Sequence, residues 1–277
     1  FLMAAGLTLV FGVMGLINLA HGSLYMTGAF TCAVVAGQTG SFWLGVAAGV
    51  LAAAATGALV EVGVMRRLYE RDHLDQVLAT FALILIFSEG ARWLSGGRPL
   101  WLDMPAALSG TVTLPGGAPY PVYRLAIIGA GLAVGLGLWL LIRRTRLGVR
   151  IRAGQADREM IDALGVDIAK LYTAVFALGA GLAGLAGAMV GALQSVEVGM
   201  GEPVLILAFV TIVIGGIGSI RGAFVGALLV GVVDTAGRVF LPAAATAIGS
   251  ALASMLIYLV LAVVLALRPQ GLFPAHG

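Results

Sequence analysis

Apolar residues in this 277-residue chain gather into long blocks separated by short polar stretches. A helix needs about 20 mostly apolar residues to cross a bilayer. The blocks at 1–17, 22–40, 42–65, 76–94, 122–142, 168–193, 203–219, 222–237 and 245–267 come near that length. The pattern predicts an all-α fold, a polytopic integral membrane bundle with eight or nine hydrophobic segments. Two neighbouring pairs stay ambiguous, 1–17 with 22–40 and 203–219 with 222–237. Each piece is short or interrupted by glycine, which suits either full spans or half-helices of re-entrant segments.

The polar stretches between blocks set the orientation. Arg66, Arg67 and Arg71 follow the third block, and the stretch from Arg143 to Lys170 follows the fifth. Alternation places both on one side, with Arg268, and with Arg221 if 203–237 is a full hairpin. Only Arg92, Arg98, Arg124 and Arg238 fall opposite. Basic loops stay inside, so the C-terminus is expected in the cytoplasm. The outside loop 95–121 is too short for a domain. Its uncharged part, 110–123, reads as a connecting loop able to form a hairpin around Pro115-Gly116-Gly117. The expected organisation is a single transmembrane domain over 1–277, with the native start upstream of Phe1.

Composition narrows the function. Hydrophobic residues make up 60% of the chain and charged residues 10%, against roughly 25% charged in soluble domains. With a mean hydropathy of +1.06, a soluble enzyme or nucleic-acid binder is excluded; the net charge of +3 is too small to suggest the latter. The 41 glycines suggest close helix packing. Gly218, Gly222 and Gly226 recur every four residues, as do the pairs Gly45/Gly49, Gly131/Gly135 and Gly187/Gly191. Catalytic signatures are missing. Cys32 is the only cysteine, and His21, His73 and His276 lie far apart, so no metal-ligand spacing occurs. The only lysine, Lys170, follows Ala169, which rules out a Walker A motif. No metal or cofactor is expected on this chain.

The inside loop, 143–170, carries the clearest local signal. Ala156 to Leu164 has helix-forming composition, with Asp157, Glu159 and Asp162 near the start and Gly165 placed to end it. Met160, Ile161 and Leu164 would share one side. A short amphipathic helix here is either a docking site for a soluble partner or a solvated connector. Asn18, His21 and Ser23, and Ser219 and Arg221, border apolar helices; such groups either line a pathway or cap helix ends. Residues 9–30 and 212–231 share a texture of apolar run, glycine break and apolar run. Glu89 with Arg92, and Asp234 with Arg238, have the spacing of helical ion pairs. Glu61 is a further acidic residue near a span.

Four stretches carry a resemblance. GLTLVFGVMGLINLAHGSLYMTGAF (Gly6–Phe30), the loop and helix from Arg144 to Met189, VIGGIGSIRGAFVGALLVG (Val213–Gly231) and LRPQGLF (Leu267–Phe273) resemble the signatures of branched-chain amino-acid ABC transporter permeases of the LivH type. The resemblance runs over essentially the whole chain. It implies a transmembrane permease subunit of an ATP-driven importer in the bacterial inner membrane. Its partners would be a second, LivM-like permease, two cytoplasmic ATPase subunits that hold ATP and Mg, and a periplasmic or lipid-anchored binding protein. Carried over by matching position, it assigns ATPase coupling to Arg152, Ala153, Asp157, Arg158, Glu159, Leu164 and Gly165. It assigns the substrate pathway to Asn18, His21, Gly22, Ser23, Gly215, Gly216, Gly218 and Ser219. The default substrates are branched-chain amino acids or related small polar solutes. Arg221 stands where many members have proline, which argues against a rigid turn there. The alternative classes are a self-contained secondary transporter or channel, and an intramembrane enzyme. Only the ABC reading requires the 156–165 helix to bind a soluble ATPase.

Overall fold

The computed structural model describes residues 1–69, 71–113, 117–244 and 249–273, without the side chains of residues 158, 242–244 and 250. Its elements are α1 (Leu2–Met14), α2 (His21–Thr39), α3 (Phe42–Gly63), α4 (His73–Ser95), β1 (Thr111–Thr113), β2 (Pro119–Pro121), α5 (Val122–Arg144), α6 (Arg146–Ala156), α7 (Arg158–Ala163), α8 (Ile168–Gly191), α9 (Gly201–Gly215), α10 (Ile220–Ala244) and α11 (Gly249–Leu267). Every apolar block of the sequence coincides with a helix. Among the described residues five helices are long and apolar enough to cross a membrane: α3 with the turn after it, α4, α5, α8 and α10. α1, α9 and most of α11 are apolar but shorter.

The core forms where α1, α2 and α3 converge on α8. Lipid tails are as apolar as leucine, so burial from water cannot drive this convergence; close van der Waals contact must. Glycine permits it. At the junction of α2, α3 and α8, a methyl on Gly49 would lie 2.5 Å from the Gly28 carbonyl oxygen, and one on Gly184 would lie 3.1 Å from that of Gly49. A methyl on Gly28 would collide with the Gly184 backbone. A second contact joins α1 to α8, where a methyl on Gly6 would sit 2.5 Å from the Gly179 oxygen. Of the expected pairs, Gly191 meets side chains alone, whereas Gly45, Gly49 and Gly187 do sit at such backbone contacts. The pair Gly131/Gly135 does not: Gly131 faces open space, and Gly135 meets only the rings of Phe1 and Phe224. α5 has no helix backbone pressed against it there, so four-residue spacing alone is no guide.

The two ends of the bundle differ. At one end Arg66, after α3, donates to the Ala169 carbonyl and to Thr173 at the start of α8. At the same end the C-terminal tail folds under α9: the N–H groups of Leu272 and Phe273 donate to Ile214 and Gly215 (both 2.9 Å). At the far end Leu100 and Val196 pair through two backbone hydrogen bonds. β1 and β2 pair antiparallel, Thr111 to Thr113 against Pro121 to Pro119. The connecting loop therefore does form a hairpin, although residues 114–116 lie outside the described structure. Tyr123 anchors it by donating to the Met189 carbonyl at 2.6 Å.

Gly184→Leu is expected to destabilise the protein by about 3 kcal/mol or more, the scale of overpacking a closed contact. Gly131→Leu, in open space, is expected to leave Tm within a few degrees. Thermal unfolding in detergent compares the two; equal losses would deny that the α2–α3–α8 junction is the critical contact.

Candidate functional site

α1 closes at Gly15, which adopts a left-handed conformation (φ 65°) and returns its N–H to Phe11. Residues 15–20 are not helical. Met14, at the end of α1, lies 3.7 Å from the Tyr69 hydroxyl at the basic end. Yet His21, which starts α2, has its Nε2 only 3.0 Å from the position a Cβ on Gly6 would occupy. The six residues thus climb back along α1 by about two turns, and α2 starts within the bundle. Non-helical backbone at membrane depth is tolerated only inside protein or beside a cavity. Here Leu16, Asn18 and Ala20 are fully covered.

This return brings polar groups indoors. Asn18 and His21 are completely buried, as are Thr8 on α1 and Tyr25 one turn into α2. Both amide atoms of Asn18, both ring nitrogens of His21 and the hydroxyls of Thr8 and Tyr25 have no hydrogen-bond partner among the described residues. Each such group costs about 1–3 kcal/mol. All four residues lie on α1, on the return or at the start of α2. Gly22 lies against the Gly201 backbone, where any side chain would collide. Ser23 is buried, and its carbonyl accepts from Thr27 at 2.8 Å.

The second predicted group sits elsewhere. Gly215 and Gly222 press carbonyl to backbone where α9 meets α10. Gly216 (φ 106°) and Gly218 (φ 81°) make the turn in conformations that side chains resist, and the Ser219 hydroxyl accepts the Gly222 N–H at 3.1 Å to cap α10. Gly218 lies beside Gly12, near the end of α1, whereas His21 lies beside Gly6. The two groups are therefore not one site; they are two stations along α1. The shared sequence texture corresponds to helix–break–helix in both, but one break is a six-residue return and the other a tight turn.

The loop 143–170 holds two helices. α6 falls where the sequence suggests only a loop, because its charged residues hide its periodicity; Thr145 caps it by accepting from Gly148 at 3.1 Å. α7 is shorter than the expected 156–164 helix. Asp157 caps it through the Met160 N–H (2.9 Å), and Gly165 ends it at φ 84°, with Val166 donating to Ile161 at 3.2 Å. The expected apolar strip is split: Ile161 is buried, whereas Met160 and Leu164 are 59% and 75% exposed. Glu159 is exposed in the first turn, Arg158 opens the helix, and Ala153 receives the Asp157 N–H at 3.0 Å. Arg152 donates to the Ile142 carbonyl, bracing α6 on α5. α8 is then capped by Asp167. The Lys170 N–H, and next its ammonium at 2.9 Å, hold the Asp167 carboxyl below the usual carboxylate range. That cap is in place above the usual range and fades as pH falls.

Sequence reasoning missed a polar node beneath α3. The carboxylate of Glu61, fully buried, accepts from Arg66 (3.0 Å), Tyr69 (3.0 Å) and Thr173 (2.6 Å). The node ties the end of α3 to the start of α8 and leaves Glu61 no free valence for a proton relay. The spaced pairs Glu89–Arg92 (2.9 Å) and Asp234–Arg238 (2.8 Å) form as expected. A cavity of about 650 Å³ between α2 and α4 is lined by apolar groups such as Met26, Phe30 and Phe87. No group of three or more metal-ligating side chains occurs among the described residues.

Known proteins match this chain along its length. A family model described as "branched-chain amino acid transport system / permease component" matches residues 1–265. The chain is 30% identical to the high-affinity branched-chain amino acid transport system permease protein BraD of Pseudomonas aeruginosa, over 98% of its own length and 90% of the relative. It is 28% identical to the corresponding protein LivH of Escherichia coli, over 87% and 82%. The ribose import permease protein RbsC of Escherichia coli is 29% identical over 83% of this chain and 71% of the relative. No solved structure matches.

Removing Arg66 takes from the buried Glu61 carboxylate its one cationic partner among the described residues and strands that charge. Arg66→Met is therefore expected to destabilise more than Arg66→Met combined with Glu61→Met. Unfolding of the single and double variants decides; additive losses would deny that the buried carboxylate depends on Arg66.

Proposed function

The chain belongs to the family of permease components of branched-chain amino-acid transport systems, and on that premise we propose how it works. It is a membrane-embedded permease subunit of an ABC importer, a transport subunit rather than an enzyme, and it serves with ATPase and substrate-binding partners. In our reading it forms half of the pathway beside a second, LivM-like permease chain. ATP and Mg act on two cytoplasmic ATPase subunits, and a periplasmic or lipid-anchored protein delivers the solute. The whole chain acts as one transmembrane domain in the bacterial inner membrane, with the basic end and the C-terminus in the cytoplasm. α1 with its return and α2, and α9 with α10, act as broken or short crossings, so that eight or nine apolar segments thread the bilayer.

The observation that carries the coupling role is α7. Capped at both ends, it holds Met160 and Leu164 outward at the basic end of the bundle, where an apolar pair one turn apart fits a groove in a soluble partner. Arg152, Ala153, Asp157, Arg158, Glu159, Leu164 and Gly165 define that element. α6 links it rigidly to α5, so a pull on α7 by closing ATPase subunits moves helices as bodies.

The pathway reading rests on the unpartnered polar groups around Asn18 and His21. A small zwitterion leaving its binding protein needs polar partners in transit, and the amide of Asn18 has none among the described residues. Gly22 and Ser23, and the turn Gly215, Gly216, Gly218 and Ser219, shape the path rather than bind. The substrate proposed is a branched-chain amino acid or a related small polar solute.

Co-purification with co-expressed ATPase subunits tests the coupling role. Glu159→Arg with Gly165→Pro, which forces an impossible backbone at φ 84°, is expected to cut ATPase recovery about tenfold or more, some 1.4 kcal/mol of docking energy. Unchanged recovery would sink the assignment. Asn18→Leu with His21→Leu is expected to keep ATPase recovery and lose leucine uptake; uptake equal to wild type would remove these residues from the pathway.

A further inference from the structure

A pocket of about 170 Å³ opens at the basic end, where α1, α5, α6 and the α9–α10 turn meet. Its wall has two characters. Leu9, Trp139, Ile142 and Ile220 are apolar, whereas Arg143, Arg152 and Arg221 contribute three guanidinium groups. Among the described residues no acidic side chain lines it. The ion pairs formed among the described residues use Arg66, Arg92, Lys170 and Arg238, not these three. Three like charges around one small volume repel unless an anion joins them. Two further observations point to such a ligand. Thr8 lines the pocket, is fully buried, and its hydroxyl has no partner among the described residues. The first residues of α10, capped by Ser219, also line it, and a helix N-terminus favours negative charge.

We propose that this pocket binds the phosphodiester headgroup of an anionic phospholipid from the adjoining leaflet. The chemistry required is a phosphate anion, and the apolar half of the wall selects its source. Trp139 and Ile142 belong to α5, of whose spanning stretch only 6% is buried. Arg143 lies over the Trp139 ring at 5.2 Å, a pairing suited to the depth where headgroup meets acyl chain. The phosphate sits among the arginines and the Thr8 hydroxyl, and the acyl chains run out along α5. Bound there, the lipid joins the ends of α5 and α6 to the α9–α10 turn. The lipid thereby braces the loop that carries α7.

Native mass spectrometry tests this on the full chain, purified with its partner subunits from nanodiscs of phosphatidylcholine doped with phosphatidylglycerol. Wild type is expected to retain phosphatidylglycerol. Arg143→Gln and Arg221→Gln are each expected to lower retention about fivefold, the loss of one basic group near a lipid surface. Arg221→Lys keeps most of it. Arg144→Gln, an exposed neighbour outside the pocket, leaves it unchanged. Thr8→Val removes only the hydroxyl, is expected to reduce retention, and decides the question if an arginine variant fails to fold. Inorganic phosphate is expected not to displace the lipid. Retention unchanged in the pocket variants, equal loss in Arg144→Gln, or displacement by inorganic phosphate alone would each overturn the proposal. The last outcome would make free phosphate the ligand.

Discussion

Backbone meeting backbone at glycine is the constraint on which the rest of this structure depends. In a bilayer there is little gain in hiding one apolar surface from another, so helices adhere only where they approach closely. Gly28, Gly49 and Gly184 bring three helices to one point, and Gly6 with Gly179 brings a fourth. From this block hang the features that matter for transport. α8 is held at its basic end by the Glu61 node, α2 can start deep in the bundle, and α4 and α5 stay at the periphery with exposed faces.

The block also explains how polar groups are arranged without a catalytic centre. Near the basic end three carboxylates are engaged: Glu61 takes three donors, and Asp157 and Asp167 each cap a helix. Deeper in, the polar groups of Asn18 and His21 go unpaired.

Much of this was legible in the sequence, for physical reasons that vary by element. Blocks of apolar residues located the long helices because bilayer thickness fixes their length. α7 was legible from Asp157 and Gly165, since caps are local chemistry. α6 was hidden because Arg146, Arg150 and Arg152 make it look like a charged linker, and its helicity depends on packing Ile151 into the core. The orientation of Ile161, inward while Met160 and Leu164 face out, required knowing what α7 rests on. The α2–α3–α8 junction could not be read from four-residue glycine spacing, because its three members come one from each helix. Glu61 gave no sign of its node because Arg66 and Tyr69 reach it only after the chain turns past the end of α3, and Thr173 lies 112 positions away. The residues nominated for a pathway were found at two levels along α1 because chain proximity says nothing of how far residues 15–20 climb back.

The α2–α3–α8 junction has a consequence for the order of events at birth. Gly28 and Gly49 leave the ribosome about 135–155 residues before Gly184, which at about 5–20 residues per second is roughly 7–30 s. Throughout that interval the first helices exist without the one they converge on, and the buried amide of Asn18 and imidazole of His21 have no completed interior to enter. The α2–α3–α8 junction therefore closes no sooner than the synthesis of α8 allows, so the clock of translation sets the earliest moment at which this core forms.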